Sequence, residues 1–152
     1  MKYYFTTIGR SGWATINSYY AVLKHEEYFP DKINVIAEEI SQDKVKMVKN
    51  GLEILSDEFN VKNEINTEIV KISEIRSFGE ELNSKIKEIK NLGHKVALDI
   101  TSGRKILVGS ILIKLEKDNV DYIFYLDIST IKKVNKPYEM IPSHIQVLRK
   151  LL

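Results

Sequence analysis

Apolar residues fall along this chain in two alternating rhythms. Tyr3 to Ile8 is aromatic and β-branched and stops at Gly9, as a buried strand would, and Trp13 to Tyr28 then carries apolar residues at helical spacing. The same pair recurs. Ile33 to Ala37 is a short apolar run, followed by Ser41 as the cap of a helix with Val45, Val48, Leu52 and Leu55 on one face. Thr67 to Ile72 reads as a third strand, and Ser73 to Leu92, with Ile75, Phe78, Leu82, Ile86 and Ile89, as a helix stopped by Gly93. His94 to Ile100 is a fourth strand, and a helix follows the Thr-Ser-Gly turn as far as Glu116. Asp121 to Ile128 makes a fifth strand, apolar on both faces. After the basic loop Ser129 to Pro137, the pattern predicts a short edge strand over Tyr138 to Ile141, then a terminal helix over Ile145 to Leu152 introduced by Pro142 and Ser143.

Strands alternating with helices predict an α/β, doubly wound, Rossmann-like and mostly parallel sheet, because parallel neighbours need a crossover and crossovers are right-handed. The expected order is 3-2-1-4-5, with the short C-terminal edge strand and terminal helix appended. It sets the first and fourth strands side by side where the winding reverses, and ligands bind in the crevice at that point. No repeat, low-complexity tract or linker interrupts the chain, so residues 1–152 are expected to form a single domain.

Composition narrows the function classes. The chain has 152 residues, 43% of them hydrophobic, enough for one core, and 23 basic against 21 acidic residues give a formal charge of +2. That balance does not suit a protein that coats nucleic acid by counterion release, so any phosphate ligand has to be gripped locally and no DNA partner is expected. Cysteine is absent and histidine occurs three times, scattered, which removes a disulfide framework and thiolate metal ligation and leaves no zinc site expected. Apolar stretches such as Lys105 to Leu115 are too short to span a bilayer, and the opening Met-Lys-Tyr-Tyr-Phe-Thr-Thr has no secretory signal. A cytoplasmic protein with no membrane partner is expected.

Two loops carry the candidate chemistry. Gly9-Arg10-Ser11-Gly12-Trp13 follows the first strand, and Asp99-Ile100-Thr101-Ser102-Gly103-Arg104-Lys105 spans the end of the fourth and the turn after it. Each combines glycines that admit a ligand to the backbone, hydroxyls, a helix N-terminus and fixed positive charge, which together describe an anion site. The structural alternative is that Ser11, Thr101 and Ser102 cap helices, the glycines permit turns, and Arg10, Arg104 and Lys105 are solvated. Against it, a basic residue in a first helical turn opposes the macrodipole unless an anion is present. Neither Gly-x-Gly-x-x-Gly nor Gly-x-x-x-x-Gly-Lys-[Ser/Thr] occurs, so no dinucleotide cofactor is expected. Trp13, the only tryptophan, either stacks on a base or packs in the core, and Asn17, one turn on, either reaches the crevice or is solvated. Asp99 is read as ordering its loop rather than acting as a base.

The run Asp99-x-Thr101-x-Gly103-x-Lys105, with Ser11 in the first loop, resembles the CRISPR-associated Rossmann fold (CARF) family, which binds cyclic oligoadenylates. Lys132, Lys133, Lys136 and the stretch Tyr138 to Pro142 are similar to that family too, whereas Arg104 beside the lysine and Trp13 near the first loop depart from it. The resemblance implies a homodimer with an even-membered ring lying across its twofold axis. Family members usually carry an effector domain after the sensor, and this chain stops at Leu152, so a standalone ring nuclease for cyclic tetra-adenylate is expected. Each ribose supplies its own 2′-hydroxyl nucleophile, so cleavage needs no metal, and products would be linear with 2′,3′-cyclic phosphate ends. Lys105 would stabilise charge on phosphate, Ser11 would orient the reacting groups, and Trp13 with Asn17 would position a nucleotide. Two alternatives stand: a sensor that binds the ring without cutting it and regulates a separate effector, and a doubly wound domain for another phosphorylated metabolite.

Overall fold

A computed structural model describes residues 1–129 and 135–152. Among these residues six strands form one sheet: β1 (Lys2–Ile8), β2 (Lys32–Glu38), β3 (Glu64–Val70), β4 (Lys95–Asp99), β5 (Tyr122–Ile128) and β6 (Gln146–Lys150), in the order β3-β2-β1-β4-β5-β6. All neighbours are parallel except β6, which runs antiparallel to β5. Four helices cross between them: α1 (Gly12–Glu26), α2 (Val45–Glu58), α3 (Ile75–Asn91) and α4 (Lys105–Lys114).

Side-chain alternation along β1 explains the two layers. Tyr4 and Ile8 face a core with Tyr19, Val22, Leu23, Val48 and Leu52 of α1 and α2, whereas Phe5 faces Ile75, Phe78, Leu82, Ile86, Leu107 and Ile111 of α3 and α4. The expected order of the parallel strands is the one observed. Ser41 does not start a helix: it lies inside a 3-10 segment, Glu39–Lys44, and α2 begins at Val45.

The C-terminal expectations need correction. The edge strand is present but is formed by Gln146–Lys150, and this replaces the expected terminal helix over Ile145 to Leu152. Its apolar spacing fits either structure over so few residues, and the open edge of β5 decides the outcome, because its backbone groups need partners. Pairing runs from Phe124 opposite Lys150 to Ile128 opposite Gln146, reinforced by Arg149 on Asp127 and Lys150 on Glu26. Tyr138 to Ile141 is not a strand; Tyr138–Met140 and Ser143–Ile145 are 3-10 turns set by Pro137 and Pro142, and Tyr138 packs on Tyr20 of α1 with ring centroids 4.7 Å apart.

Helices α3 and α4 approach through Gly79, where a Cβ would stand 2.1 Å from the Ser110 carbonyl oxygen. A Cβ on Gly109 would meet nothing within 4 Å. Gly79→Ala is therefore expected to cost about 1–3 kcal/mol by overpacking, and Gly109→Ala to add about 1 kcal/mol of helix propensity. Urea denaturation should show the two midpoints moving in opposite directions at unchanged slope.

Candidate functional site

The loops after β1 and β4 meet at the carboxyl end of the sheet. The Gly9 N–H donates to Ser102 Oγ at 2.8 Å, and the Thr7 hydroxyl donates to the Ser102 carbonyl. Glycine is required on both sides of this contact. A Cβ on Gly9 would lie 2.7 Å from the Gly103 nitrogen; Gly103 has φ +95°, and its Cβ would lie 2.8 Å from Thr7 Oγ1. Ser102 is buried, and its polar groups are spent on joining the loops.

Asp99 lies beneath this junction, fully buried. Its Oδ1 accepts from the Thr101 N–H (3.0 Å) and hydroxyl (2.6 Å), and its Oδ2 accepts from the Thr6 hydroxyl (2.8 Å), so the side chain orders the loop. Thr101 Oγ1 also accepts from the Leu126 N–H at 2.8 Å and lies 3.0 Å from Ser18 Oγ, which saturates it and ties the loop to β5 and α1. Burial pushes the Asp99 carboxyl above the usual aspartate range, and the hydrogen bonds from Thr101 and Thr6 oppose that shift. The Tyr4 hydroxyl, enclosed nearby and without a partner in hydrogen-bond geometry among the described residues, has its phenol pushed well above its ordinary value by burial and then by the Asp99 charge.

Arg104 is engaged rather than solvated. Its Nε lies 2.9 Å from Glu38 Oε2 and its Nη2 bonds Glu38 Oε1, with the carboxylate 3% exposed at the end of β2. One edge of the guanidinium is thus occupied, and the Glu38 bond and charge raise its pKa. Asn17 is also engaged: it is 1% exposed, and its Nδ2 donates to the Lys136 carbonyl at 2.7 Å. Ser11 occupies the N-cap position of α1 without a side-chain cap bond and donates from Oγ to Asn135 Oδ1 at 2.9 Å. Gly12 opens α1, buried against Met47 and Val48. Trp13, in the first turn of α1, is half-buried and lines a small cavity with Leu55 of α2 and Pro137. Arg10 and Lys105 are exposed, and neither forms an ion pair among the described residues.

Neither α1 nor α4 has a side-chain cap at its start, and neither has an acidic residue in its first turn. Both present unclaimed N–H groups and positive dipole ends, with Lys105 as the first residue of α4. The structure therefore joins the two loops but divides their residues: Gly9, Asp99, Thr101, Ser102 and Gly103 build the junction, Ser11 and Arg104 bond Asn135 and Glu38, and Arg10 and Lys105 are exposed. Lys132 and Lys133 lie outside the described residues. Glu38, Thr7, Ser18 and Asn135 were not anticipated; for Glu38 the available signal was an acid directly after the apolar run Val35 to Ala37, at the ligand-binding end of the sheet.

These features define a Rossmann-like α/β sheet whose topological switch point carries two helix N-termini without side-chain caps and two exposed basic side chains. No family model matches the chain, and no curated protein matches it. Among solved structures, it is similar to a type III CRISPR defence DNA nuclease activated by cyclic oligoadenylate, with a TM-score of 0.61 and 15% identity over 84% of this chain and 19% of that one. It is similar also to Enterococcus italicus Csm6 bound to cyclic hexa-2′-fluoro-hexa-dAMP, with a TM-score of 0.64 and 18% identity over 100% of this chain and 42% of that one. At these identities the likeness is one of fold: the same Rossmann-like arrangement of sheet and helices. This chain spans less than half the length of either protein. Among the described residues no helix is long and apolar enough to cross a membrane.

Arg104→Ala would strand the buried Glu38 carboxylate, so it is expected to lower the melting temperature, and adding Glu38→Gln should recover part of the loss. The folded state holds the Asp99 proton more readily than the unfolded chain, so this group's contribution to stability is full below about pH 3.8 and is lost as pH rises through the higher folded value. A carbon-13 titration should place Asp99 above the ordinary aspartate range, and Glu80 and Glu116, held by Lys114 and Lys87, below the ordinary glutamate range.

Proposed function

We propose that this chain binds a cyclic oligoadenylate, cyclic tetra-adenylate foremost, across the twofold axis of a homodimer and cleaves it as a ring nuclease of type III CRISPR signalling. The observation that carries this reading is the convergence of two uncapped helix N-termini with Lys105 and Arg10 at the switch point of a fold shared with proteins that respond to or bind such rings. A ring of phosphodiesters needs a central set of cations and N–H donors, and two facing copies double the set offered by one crevice.

Little machinery is needed for cleavage. The 2′-hydroxyl of one ribose attacks the adjacent phosphorus, the bond from phosphorus to the 5′-oxygen breaks, the proton leaves the 2′-oxygen and one is taken up by the 5′-oxygen. The products are a 2′,3′-cyclic phosphate and a 5′-hydroxyl, with no metal required. Lys105 and the first-turn N–H groups stabilise charge developing on the non-bridging oxygens, Ser11 orients the 2′-hydroxyl or the phosphate, and the junction holds both loops in register.

A sensor without turnover is the second reading. It is favoured by how many polar groups are already committed: Thr101, Ser102 and one edge of Arg104 are occupied, leaving few to act on a substrate. Incubating the protein with cyclic tetra- and hexa-adenylate in chelator and separating the products tells the two apart. Linear products with cyclic phosphate ends are expected, and tightly bound intact ring would instead establish the sensor. Because Lys105 is exposed, Lys105→Ala should keep the fold and lower turnover by at least about 10²-fold; a variant that cleaves at the wild-type rate would remove Lys105 from the mechanism.

A further inference from the structure

The rim of the sheet opposite the crevice holds a second concentration of charge. Lys2 begins β1 and Lys95 begins β4, and the two are register partners on adjacent parallel strands. They share a face, because Tyr4 and Ala97, two residues on from each, enter the same core. Neighbouring strands run about 5 Å apart, so the two lysines start side by side. With Lys150 of β6 and three rings, Tyr28, Tyr122 and Phe124, they line a cavity of about 240 Å³.

The rings form a fixed floor. Tyr122 and Phe124 stack with centroids 5.7 Å apart, Tyr28 stands edge-on to both, and the Tyr28 hydroxyl donates to the Tyr3 carbonyl at 2.8 Å. Two ammonium groups lie over this floor: Lys2 Nζ is 5.4 Å from the Tyr28 centroid, and Lys150 Nζ is 5.5 Å from that of Tyr122. Three carboxylates near this rim are committed. Glu26 pairs with Lys150 at 2.9 Å, Asp31 accepts from the Lys2 backbone N–H at 2.6 Å, and Asp121 holds Lys90 at 2.8 Å and the Val96 N–H at 2.7 Å. Glu27 also lines the cavity and is exposed; among the described residues, neither it nor Lys2 nor Lys95 forms an ion pair. Two like charges are thus set together with no carboxylate bridging them, an arrangement that costs free energy until an anion joins them.

We propose that this cavity binds a phosphate monoester, whose dianionic head bridges Lys2 and Lys95 and whose organic part lies against the aromatic floor. A dianion with three terminal oxygens can accept from both ammonium groups at once, which a monatomic anion of single charge does less well. The site lies at the other end of the sheet from Arg10 and Lys105 and does not rest on the cyclic oligoadenylate reading.

NMR titration of the whole chain with inorganic phosphate and with glycerol 3-phosphate, at about pH 8 where both are dianions, tests this against chloride at equal ionic strength. Expected are saturable shifts of the Lys2 and Lys95 amides with both phosphates, tighter binding of the ester, and no such shifts with chloride. Lys95→Gln should weaken ester binding by about fivefold and Glu27→Gln should strengthen it by a similar factor, with binding and turnover of cyclic tetra-adenylate unchanged in both. If Lys95→Gln does not fold, the comparison with chloride on the wild-type protein decides. Shifts that chloride reproduces, shifts confined to the amides of Arg10 and Lys105, or undiminished ester affinity in folded Lys95→Gln would overturn the site while the proposed function stands. Inorganic phosphate bound as tightly as the ester would overturn the assignment to a monoester.

Discussion

The contact between Gly9 and Ser102 is the constraint on which the rest of the site depends. Two chain segments far apart in sequence leave adjacent parallel strands, and at that point backbone touches backbone so closely that neither Gly9 nor Gly103 has room for a side chain. Thr7 and Ser102 close the same junction with side-chain bonds. Because α1 and α4 start directly after it, fixing the junction also fixes where their two positive dipole ends point. The crevice is therefore a consequence of the strand order and of two missing Cβ atoms, before any charged side chain is considered.

Charge is then layered by depth. The lowest layer is a carboxylate, Asp99, enclosed without a cation and held by hydroxyls and an N–H. Above it, Arg104 and Glu38 neutralise one another at the end of β2. Outermost are Arg10 and Lys105, exposed to solvent. Among the described residues these two carry the charges without an ion-pair partner, and the paired ones brace the scaffold beneath them.

The parallel part of the fold was legible because each strand and helix shows its periodicity locally, and the crossover rule converts that succession into an order. The C-terminus was not legible, because Ile145 to Leu152 takes its structure from the unpaired edge of β5, which lies outside the segment. The same holds at the site. Glycines and hydroxyls in two loops could be read directly, but their division of labour could not: Arg104 is committed by Glu38, 66 positions away, Asn17 by Lys136, 119 away, and Ser11 bonds Asn135, 124 away. A pairing over such separations can leave a local signal, as the acid ending β2 does, but nothing in either neighbourhood names the partner. Residues that looked available on composition proved to be the mortar of the site.

Gly79 has a mechanical consequence. With the backbone of α3 seated against the Ser110 carbonyl, and Lys114 of α4 paired with Glu80 of α3 at 2.7 Å, the two helices form one stiff lever. Its tip is Lys105. A tilt of α4 imposed at the crevice would be carried by α3 as well, along its whole length and down to the opposite rim of the sheet, so events at one end of this domain have a ready mechanical route to the other.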